Sequence, residues 1–342
     1  MTDLDDEPAP ERATVVTLAH LAGVAPSTVS RALKGDPRIS GKTRQRIAAL
    51  ATAQGYMPNV LARTLSSGRS GLVGLVLGSI ENPFYADLMQ QAVTQSIERG
   101  VRLLLLHAGS GPIEDRTAEA LLQYKVDGCL ISSAELSSHA AQICAAHSVP
   151  VVMVNRVPRV HASAVTCDNR HGAETLASLL LGAGHTSFAI VKGGAESSNS
   201  IERERSFAEY VADHGGEVVL RVAGGTTYEG GFAAGRMFAE MPAADRPHAV
   251  FAVADIMAMG VMDALRIAGI DVPGHISVTG FDGIAAAGWP VYGITTVAQP
   301  LQAMVSRGLD LLTARIGNAN SPDEMVTLRG ELILRRSARV AA

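Results

Sequence analysis

Apolar residues recur at helical spacing in two short segments near the start of the chain. Two sets share the i, i+3, i+4 spacing: Leu18, Leu21 and Ala22, then Val29, Ala32 and Leu33. The pattern predicts two short helices with a sharp turn at Gly23 between them. A third helix is predicted from an N-cap at Ser40 to a stop at Gly55. Because each apolar stripe is narrow, the three helices must pack on one another, as in a helix-turn-helix domain.

From residue 72 the pattern changes to short apolar runs that alternate with amphipathic stretches such as 84–98. The predicted strands fall into two series: 72–77, 102–107, 128–132 and 150–154, then 188–191, 218–222, 249–253 and 277–281. Two successive series of strands and helices predict an α/β core of two doubly wound parallel sheets. Such sheets bind ligands at the carboxyl ends of their strands, so we expect a ligand cleft there.

The outer face of the second predicted helix carries short hydrogen-bonding or cationic side chains and no carboxylate. Its members are Pro26, Ser27, Ser30, Arg31 and Lys34. A helix-turn-helix places the N-terminal part of this helix against base edges in the major groove. The face therefore predicts binding to duplex DNA.

Charge is distributed unevenly along the chain, whose net charge is −4. Residues 13–70 carry +7, with Asp36 as their one acid, whereas residues 71–342 carry −7. A basic headpiece on an acidic body fits a protein that releases counterions from DNA phosphates. A solvated basic face on an ordinary helical domain is the alternative.

The composition and motifs of the chain argue against several other classes of protein. No apolar run reaches the length of a membrane span, and the acidic N-terminus is unlike a secretory signal, so we expect a cytoplasmic protein without membrane contact. The three widely spaced cysteines predict buried thiols rather than a metal site. No phosphate-binding loop, zinc-protease motif or nucleophile elbow is present, so we expect no catalysis, cofactor or metal.

The same patterns divide the chain into predicted segments. These are a disordered tail (1–12), a helix-turn-helix domain (13–57), a hinge helix and linker (58–70), a ligand-binding and dimerisation core (71–335) and a short tail (336–342). Within the core, the N-subdomain is expected at about 71–166 and 298–325 and the C-subdomain at about 167–297 and 326–335.

Several motifs, in order, resemble the LacI/GalR family of transcriptional regulators over about residues 14–335. They are Thr28-Val-Ser-Arg31, Tyr56-Met-Pro-Asn59 with Ala62-Arg63 and Leu65, Glu81-Asn-Pro-Phe-Tyr85, Cys167-Asp-Asn169, Gly184-His185, Asp255 to Gly260, Gly280-Phe-Asp282 and Thr295 to Pro300. Each motif is weak, but their order and spacing together are specific. The resemblance implies a ligand-responsive regulator, most often a repressor, that binds a pseudo-palindromic operator as a homodimer.

The resemblance also implies which residues meet DNA. They are Thr17, Pro26, Ser27, Thr28, Ser30, Arg31, Lys34 and Arg38 in the headpiece and Asn59, Ala62, Arg63 and Leu65 in the hinge. Leu65 takes the position of an apolar wedge that enters the minor groove; packing under the linker is its alternative role. Arg31 either reads a guanine or grips a phosphate. Two positions depart from the family, since Ala25 replaces a capping serine and Lys34 replaces an asparagine.

Carried over by position, the effector site draws on both subdomains. Its implied residues are Phe84, Asn155, Arg203, Asp255, Asp282 and Trp289. Arg203 suits vicinal hydroxyls or a carboxylate and Asp282 accepts from hydroxyls, so the expected effector is a sugar or sugar acid. Trp289 either stacks on a sugar face or packs in a core. Ala254, Gly283 and Ser206 depart from the family pattern, which alters the contacts with the effector.

The competing interpretation keeps the DNA-binding headpiece but changes the core. In it, the core is an enzyme that processes a small molecule, or a dimerisation module that needs no ligand. The sequence does not say whether the effector is an inducer or a corepressor.

Overall fold

The computed structural model divides into two compact units, Met1–Ser70 and Gly71–Ala342. The structure describes residues 13–56, 69–78, 81–109, 115–132, 138–158, 162–195, 197–318 and 321–340. No helix within these ranges is long and apolar enough to cross a membrane.

Within residues 13–56 of the first unit, three helices pack together: α1 (Val15–Ala22), α2 (Pro26–Leu33) and α3 (Gly41–Ala53). Gly23 ends α1 in the left-handed conformation, with φ of 60°, and so makes the sharp turn. The Ser40 hydroxyl caps α3, and Gly55 follows that helix with φ of 58°. The expected turn at Gly23, N-cap at Ser40 and helix stop at Gly55 are therefore confirmed.

The buried face of α1 differs by one residue from its predicted face. Leu18, Ala19 and Ala22 lie in the core with Val29 and Ile47, whereas Leu21 is 49% exposed. The expectation that Leu21 is a core residue is wrong. The side of α1 that faces the other two helices is therefore the i, i+1, i+4 set of Leu18, Ala19 and Ala22.

The first sheet of the second unit is parallel throughout. Its strand order is β11-β5-β4-β3-β1-β2. The strands are β1 (Leu72–Leu77), β2 (Arg102–His107), β3 (Gly128–Ser132), β4 (Val151–Val154), β5 (Ser163–Cys167) and β11 (Met325–Leu328). Four helices pack on it: α4 (Pro83–Glu98), α5 (Asp115–Gln123), α6 (Ser138–Ala146) and α11 (Leu301–Gly317).

The second sheet has the order β12-β10-β9-β8-β6-β7 and is parallel except for its edge strand β12. The strands are β6 (Ser187–Lys192), β7 (Glu217–Ala223), β8 (Ala249–Ala252), β9 (Ser277–Asp282), β10 (Thr295–Ala298) and β12 (Glu331–Ile333). Its helices are α7 (Asn169–Gly182), α8 (Ser198–Asp213), α9 (Tyr228–Glu240) and α10 (Asp255–Ile267). Two doubly wound sheets are thus confirmed.

Strands β5, β10, β11 and β12 were not predicted. They are short and contain polar residues, as in Ser163-Ala-Val-Thr-Cys167 and Thr295-Thr-Val-Ala298, so hydropathy alone does not mark them. Strand β11 pairs with β5 in the first sheet, and the expected subdomain boundary after residue 325 falls inside it.

The backbones of helices α9 and α10 come into close contact at Gly231 and Gly260. A Cβ atom on Gly260 would collide with the backbone of Tyr228 and Phe232, and one on Gly231 would collide with the backbone of Met257. Backbone atoms cannot turn aside as a flexible side chain can, so the two helices would have to separate.

We therefore expect Gly260→Ala to lower the free energy of unfolding of the core by about 1–3 kcal/mol, the usual range for overpacked interiors, or by more. Urea unfolding followed by circular dichroism measures this change. Gly182→Ala is the matched control, because Gly182 ends α7 with no atom within 4 Å of its Cβ position. An equal loss in both variants would contradict the packing argument.

Candidate functional site

The amino end of α2 is open at the surface of the headpiece. Ala25 is the N-cap and makes no side-chain hydrogen bond, and Pro26 occupies the first helical position. Ser27 and Arg31 are exposed, whereas Val29 on the opposite face is buried. The helix thus presents hydroxyl and guanidinium groups outward, the chemistry that base edges and phosphates require.

Five of the six lysine and arginine residues within 13–56 fall into two groups. Arg38 is held by Asp36 at 2.7 Å, and Arg44 and Arg46 donate to backbone carbonyls. Within residues 13–56, the guanidinium of Arg31 and the ammonium of Lys42 make no hydrogen bond or ion pair. Arg31 is therefore available to a ligand, whereas Arg38 must first leave the one acid of the headpiece.

Thr17, one of the predicted DNA contacts, has a partner at the start of α1. Its hydroxyl and that of Thr14 are 3.0 Å apart, and the two residues form a reciprocal capping box at the start of α1. The predicted hinge contacts Asn59, Ala62, Arg63 and Leu65 lie outside the described residues.

Arg203 on α8 is the centre of a buried polar cluster in the core. Its Nη1 donates to Asp282 Oδ1 at 2.9 Å and to the Val253 carbonyl at 2.8 Å, and its Nε donates to Asn169. The guanidinium lies 3.8 Å above the centre of the Phe281 ring. Both members of the Arg203–Asp282 pair are 4% exposed, so the pair lies out of water.

Two polar atoms in this cluster are buried without a hydrogen-bond partner. They are Arg203 Nη2, a donor, and Gln299 Oε1, an acceptor. The Gln299 side chain is fixed because its Nε2 donates to Asp282 Oδ1 at 2.7 Å. Since a buried polar group without a partner costs about 1–3 kcal/mol, these two atoms are candidate contacts for a ligand that carries hydroxyl groups.

Asp255 lies beside this cluster, but its own oxygens are occupied. Oδ2 accepts the backbone N–H groups of Gly283 and Ile284, and Oδ1 accepts the Thr296 hydroxyl at 2.7 Å. Gly283 has φ of 75°, and a Cβ there would strike Ala298, so this turn requires glycine. Asp255 therefore ties together the turn after Asp282 rather than facing an open cavity.

Burial, and then the charge of Asp282, raise the pKa of Asp255 from 3.8 to about 7. Between these two pH values the folded state binds more protons than the unfolded state, so stability from this group falls as pH rises through about 7. His185 acts in the opposite direction, because burial lowers its pKa from 6.5 to about 4 and its contribution falls as pH falls.

Asp255→Asn should remove the pH dependence of stability that Asp255 causes, because asparagine does not titrate. The fold is kept, because the amide oxygen can still accept the two N–H groups. The free energy of unfolding of the variant minus that of the wild type should then increase from about pH 5 to about pH 8. Urea unfolding at both pH values measures it, and the difference cancels His185. A difference independent of pH would contradict the assignment.

Asn155 and Phe84, from elements of the first sheet, lie next to this cluster of the second sheet. Asn155 follows β4 and accepts, through its carbonyl and Oδ1, from Asn199 Nδ2 at 2.6 and 2.7 Å. Phe84 is buried in the first turn of α4, two residues after Asn82, whose side chain hydrogen-bonds Asp282. Five of the six predicted effector residues therefore lie in one connected region.

Trp289 does not lie with them, and both of its expected places, in the cleft and in a core, are wrong. It is 56% exposed in the loop from β9 to β10. Arg266 in the last turn of α10 donates to the carbonyl of Val291 in that loop. Asp255 begins α10, and eleven residues of helix span about 16 Å, so the loop carries Trp289 toward the other end of the sheet.

Four further residues of the cluster were not predicted: Asn82, Asn169, Asn199 and Gln299. Three of them stand inside motifs that carried the family resemblance, at Glu81-Asn82, Asp168-Asn169 and Gln299-Pro300. Their position in those motifs was the available signal, because a single amide side chain in a polar segment has no distinctive pattern.

Comparison with known proteins agrees with this architecture. The profile of bacterial regulatory proteins of the lacI family matches residues 16–59, and that of the periplasmic binding protein-like domain matches residues 177–338. The transcriptional regulator AscG of Escherichia coli is 33% identical over 332 residues, which cover 95% of this chain and 98% of the relative. This chain belongs to the LacI family.

Other members of the LacI family are similar over the same length. The ribose operon repressor of E. coli is 30% identical over 95% of this chain and its own full length. A solved complex of the regulator CelR with cellobiose is 29% identical, covers 96% of this chain and 100% of its own, and has a TM-score of 0.71. A lac repressor dimer bound to operator shares the fold, with a TM-score of 0.86 at 22% identity, over 96% and 99% of the two chains.

Proposed function

We propose that this chain is a transcriptional repressor that binds operator DNA as a homodimer and is gated by a neutral, polyhydroxylated effector. The headpiece supplies the exposed amino end of α2, with Arg31 ready to contact DNA. The core supplies the effector site around Arg203, at the carboxyl ends of strands β8 and β9.

The unpartnered pair of atoms, Arg203 Nη2 and Gln299 Oε1, carries the effector assignment. One is a donor and the other an acceptor, and both are fixed through Asp282 Oδ1. A hydroxyl group both donates and accepts, so a polyol satisfies both atoms. A purely apolar ligand would leave them buried and unpaired.

Charge favours a neutral sugar over a sugar acid. The positive charge of Arg203 is matched by Asp282 at 2.9 Å, and Asp255 beside them adds negative charge when ionised. These three groups together offer a carboxylate no net positive charge. The CelR complex holds cellobiose, and a LacI-family regulator from Enterococcus faecium was solved with bound ribose, both neutral sugars.

The homodimer is supported by the outer face of α4. Phe84 and Leu88 are buried in the core, whereas Val93 is 42% and Ile97 72% exposed. These last two residues stand one turn apart and form an apolar stripe that a second copy can cover. Size measurement by light scattering, with and without DNA, tests the dimer.

The deciding experiment is binding of the full chain to DNA fragments that tile the region around its own gene, across a salt series. Ribose, cellobiose and glucuronate are then added at equal concentrations. We expect one fragment to bind far more tightly than the rest, and a neutral sugar, but not the acid, to change that affinity. Equal binding to all fragments would contradict the repressor assignment, and a response to glucuronate alone would contradict the neutral effector.

A further inference from the structure

Asp36, the one acid of residues 13–70, lies in the turn between α2 and α3 and is bonded to Arg38. Arg38 Nε donates to Asp36 Oδ1 at 3.0 Å, and Arg38 Nη2 donates to Asp36 Oδ2 at 2.7 Å. Two parallel bonds of this kind form a bidentate pair, the strongest arrangement of a guanidinium and a carboxylate. The carboxylate therefore occupies one whole edge of the guanidinium.

The backbone of the turn fixes this pair. The Arg38 N–H donates to Asp36 Oδ1 at 3.0 Å, and the Ile39 N–H donates to the Asp36 carbonyl at 3.1 Å. Arg44 on α3 donates from Nη1 to the Gly35 carbonyl at 3.0 Å and so holds the turn against that helix. Because Asp36 accepts from both the backbone and the side chain of Arg38, the contact is a defined part of the turn, unlike most ion pairs between mobile surface side chains.

A DNA phosphate would compete with Asp36 for the same atoms of Arg38. Arginine binds phosphate as it binds carboxylate, through two parallel N–H donors. The Arg38 side chain is 74% exposed and that of Asp36 is 13% exposed, so a ligand in solvent reaches the guanidinium more easily than the carboxylate. Within residues 13–56 the guanidinium has no partner other than Asp36.

Asp36 carries its full negative charge at every pH at which DNA binding is measured. The hydrogen bonds from the side chain and backbone of Arg38, and to a smaller extent the charge of Arg31, lower the pKa of Asp36 from 3.8 to about 2. The Asp36 N–H also donates to the Arg31 carbonyl at 3.0 Å, which places the acid directly after α2. A carboxylate at the C-terminal end of a helix is unfavourable for that helix, so α2 gains nothing from this charge.

We propose that Asp36 is a built-in competitor for DNA phosphate, which occupies Arg38 in the free chain and thereby lowers the affinity of the headpiece for DNA of any sequence. The reduction applies equally to all sequences, because a phosphate contact carries no information about bases. Unrelated DNA is in large excess over any operator, so weaker binding to it leaves more of the protein free to find its site. The inference rests on the DNA binding of the proposed function and adds what limits it.

The test variant is Asp36→Asn in the full chain. Its amide oxygen can still accept the Arg38 N–H, so the turn is kept while the charge is lost. Binding to a short duplex of unrelated sequence is measured by fluorescence anisotropy across a salt series. We expect the slope of log affinity against log salt to steepen by about one, because the released Arg38 displaces one more counterion. At about 0.1 M salt this corresponds to binding about eightfold tighter than that of the wild-type chain.

Arg38→Met is the matched background, because Asp36 has no arginine to occupy there. Asp36→Asn in that background should raise the affinity only about twofold, through the loss of a screened repulsion between the carboxylate and the phosphates. An equal gain in both backgrounds would show that Asp36 acts through its charge alone and would overturn the competitor.

Two other results would also overturn it. An unchanged affinity in Asp36→Asn would show that Arg38 does not reach phosphate, and a lower affinity would show that Asp36 holds Arg38 ready for DNA. Asp36→Ser is the second variant, in case Asp36→Asn does not fold, because a serine hydroxyl also accepts from the N–H two residues later. It should give the same steeper slope.

These outcomes are separable from those of the proposed function. If every DNA fragment binds equally but Asp36→Asn still steepens the slope only in the presence of Arg38, the competitor stands and the repressor does not. If one fragment is preferred and a sugar changes its affinity, but Asp36→Asn binds as the wild-type chain does, only the competitor is lost.

Discussion

Replacing Arg203 by methionine should abolish the response to the effector and destabilise the core. The change leaves Asp282 buried without its cation, and it removes the donors to Asn169 and to the Val253 carbonyl. Breaking a buried pair from one side costs about 3–5 kcal/mol, because the remaining charge has neither water nor partner. Effector affinity should fall at least tenfold, since a hydrogen bond to a charged group contributes about 1.5–3 kcal/mol. Titration calorimetry with the sugar that binds the wild-type chain and urea unfolding measure the two effects.

Two further variants separate these effects. Arg205→Met changes an arginine on the same helix that is 57% exposed and 3.8 Å from Glu209, so stability should change by less than about 0.5 kcal/mol. Arg203→Met combined with Asp282→Asn removes both charges and should recover part of the stability but none of the effector binding. If Arg203→Met binds the effector with full affinity, Arg203 does not contact the effector.

The sequence predicted the parts of the fold that hydropathy marks. The long runs β1, β2 and β3 match their predicted bounds, because their alternation with helices is clear and their residues are apolar. Strands β5 and β10 mix threonine, serine and alanine with valine and are placed by pairing with their neighbours in the sheet. Long-range pairing of this kind leaves no periodic trace in a single sequence.

The candidate site was predicted less completely, for a different reason. Arg203 and Asp282 were carried over by position from the family resemblance, and the structure places them 2.9 Å apart. The direction of a loop is decided by packing, so the sequence could not show that Trp289 leaves the cleft. Nor could it show that Asn199 contacts Asn155, because the two residues belong to different sheets, and a contact between sheets leaves no pattern in the sequence.

Replacing Arg31 by alanine should weaken binding to the operator about 5- to 150-fold, while binding to unrelated DNA changes little. Arg31 stands on the exposed face of α2, and nothing among headpiece residues 13–56 holds its guanidinium. A guanidinium that forks to a guanine contributes about 1–3 kcal/mol of discrimination between bases. The preference for one base at one operator position should therefore relax together with the affinity, and binding to a set of single-base operator variants measures both.

Lys42→Ala is the matched control, because Lys42 is an equally unpaired cation of the headpiece that lies on α3 rather than on α2. A cation that contacts only phosphate contributes equally on every sequence, and its loss lowers the slope of log affinity against log salt by about one. We expect Lys42→Ala to show at most that uniform behaviour. If Arg31→Ala behaves in the same way, with an unchanged base preference and a shallower salt slope, Arg31 grips phosphate. The reading of bases must then come from the hydroxyls at the amino end of α2, of which Ser27 is exposed beside Pro26.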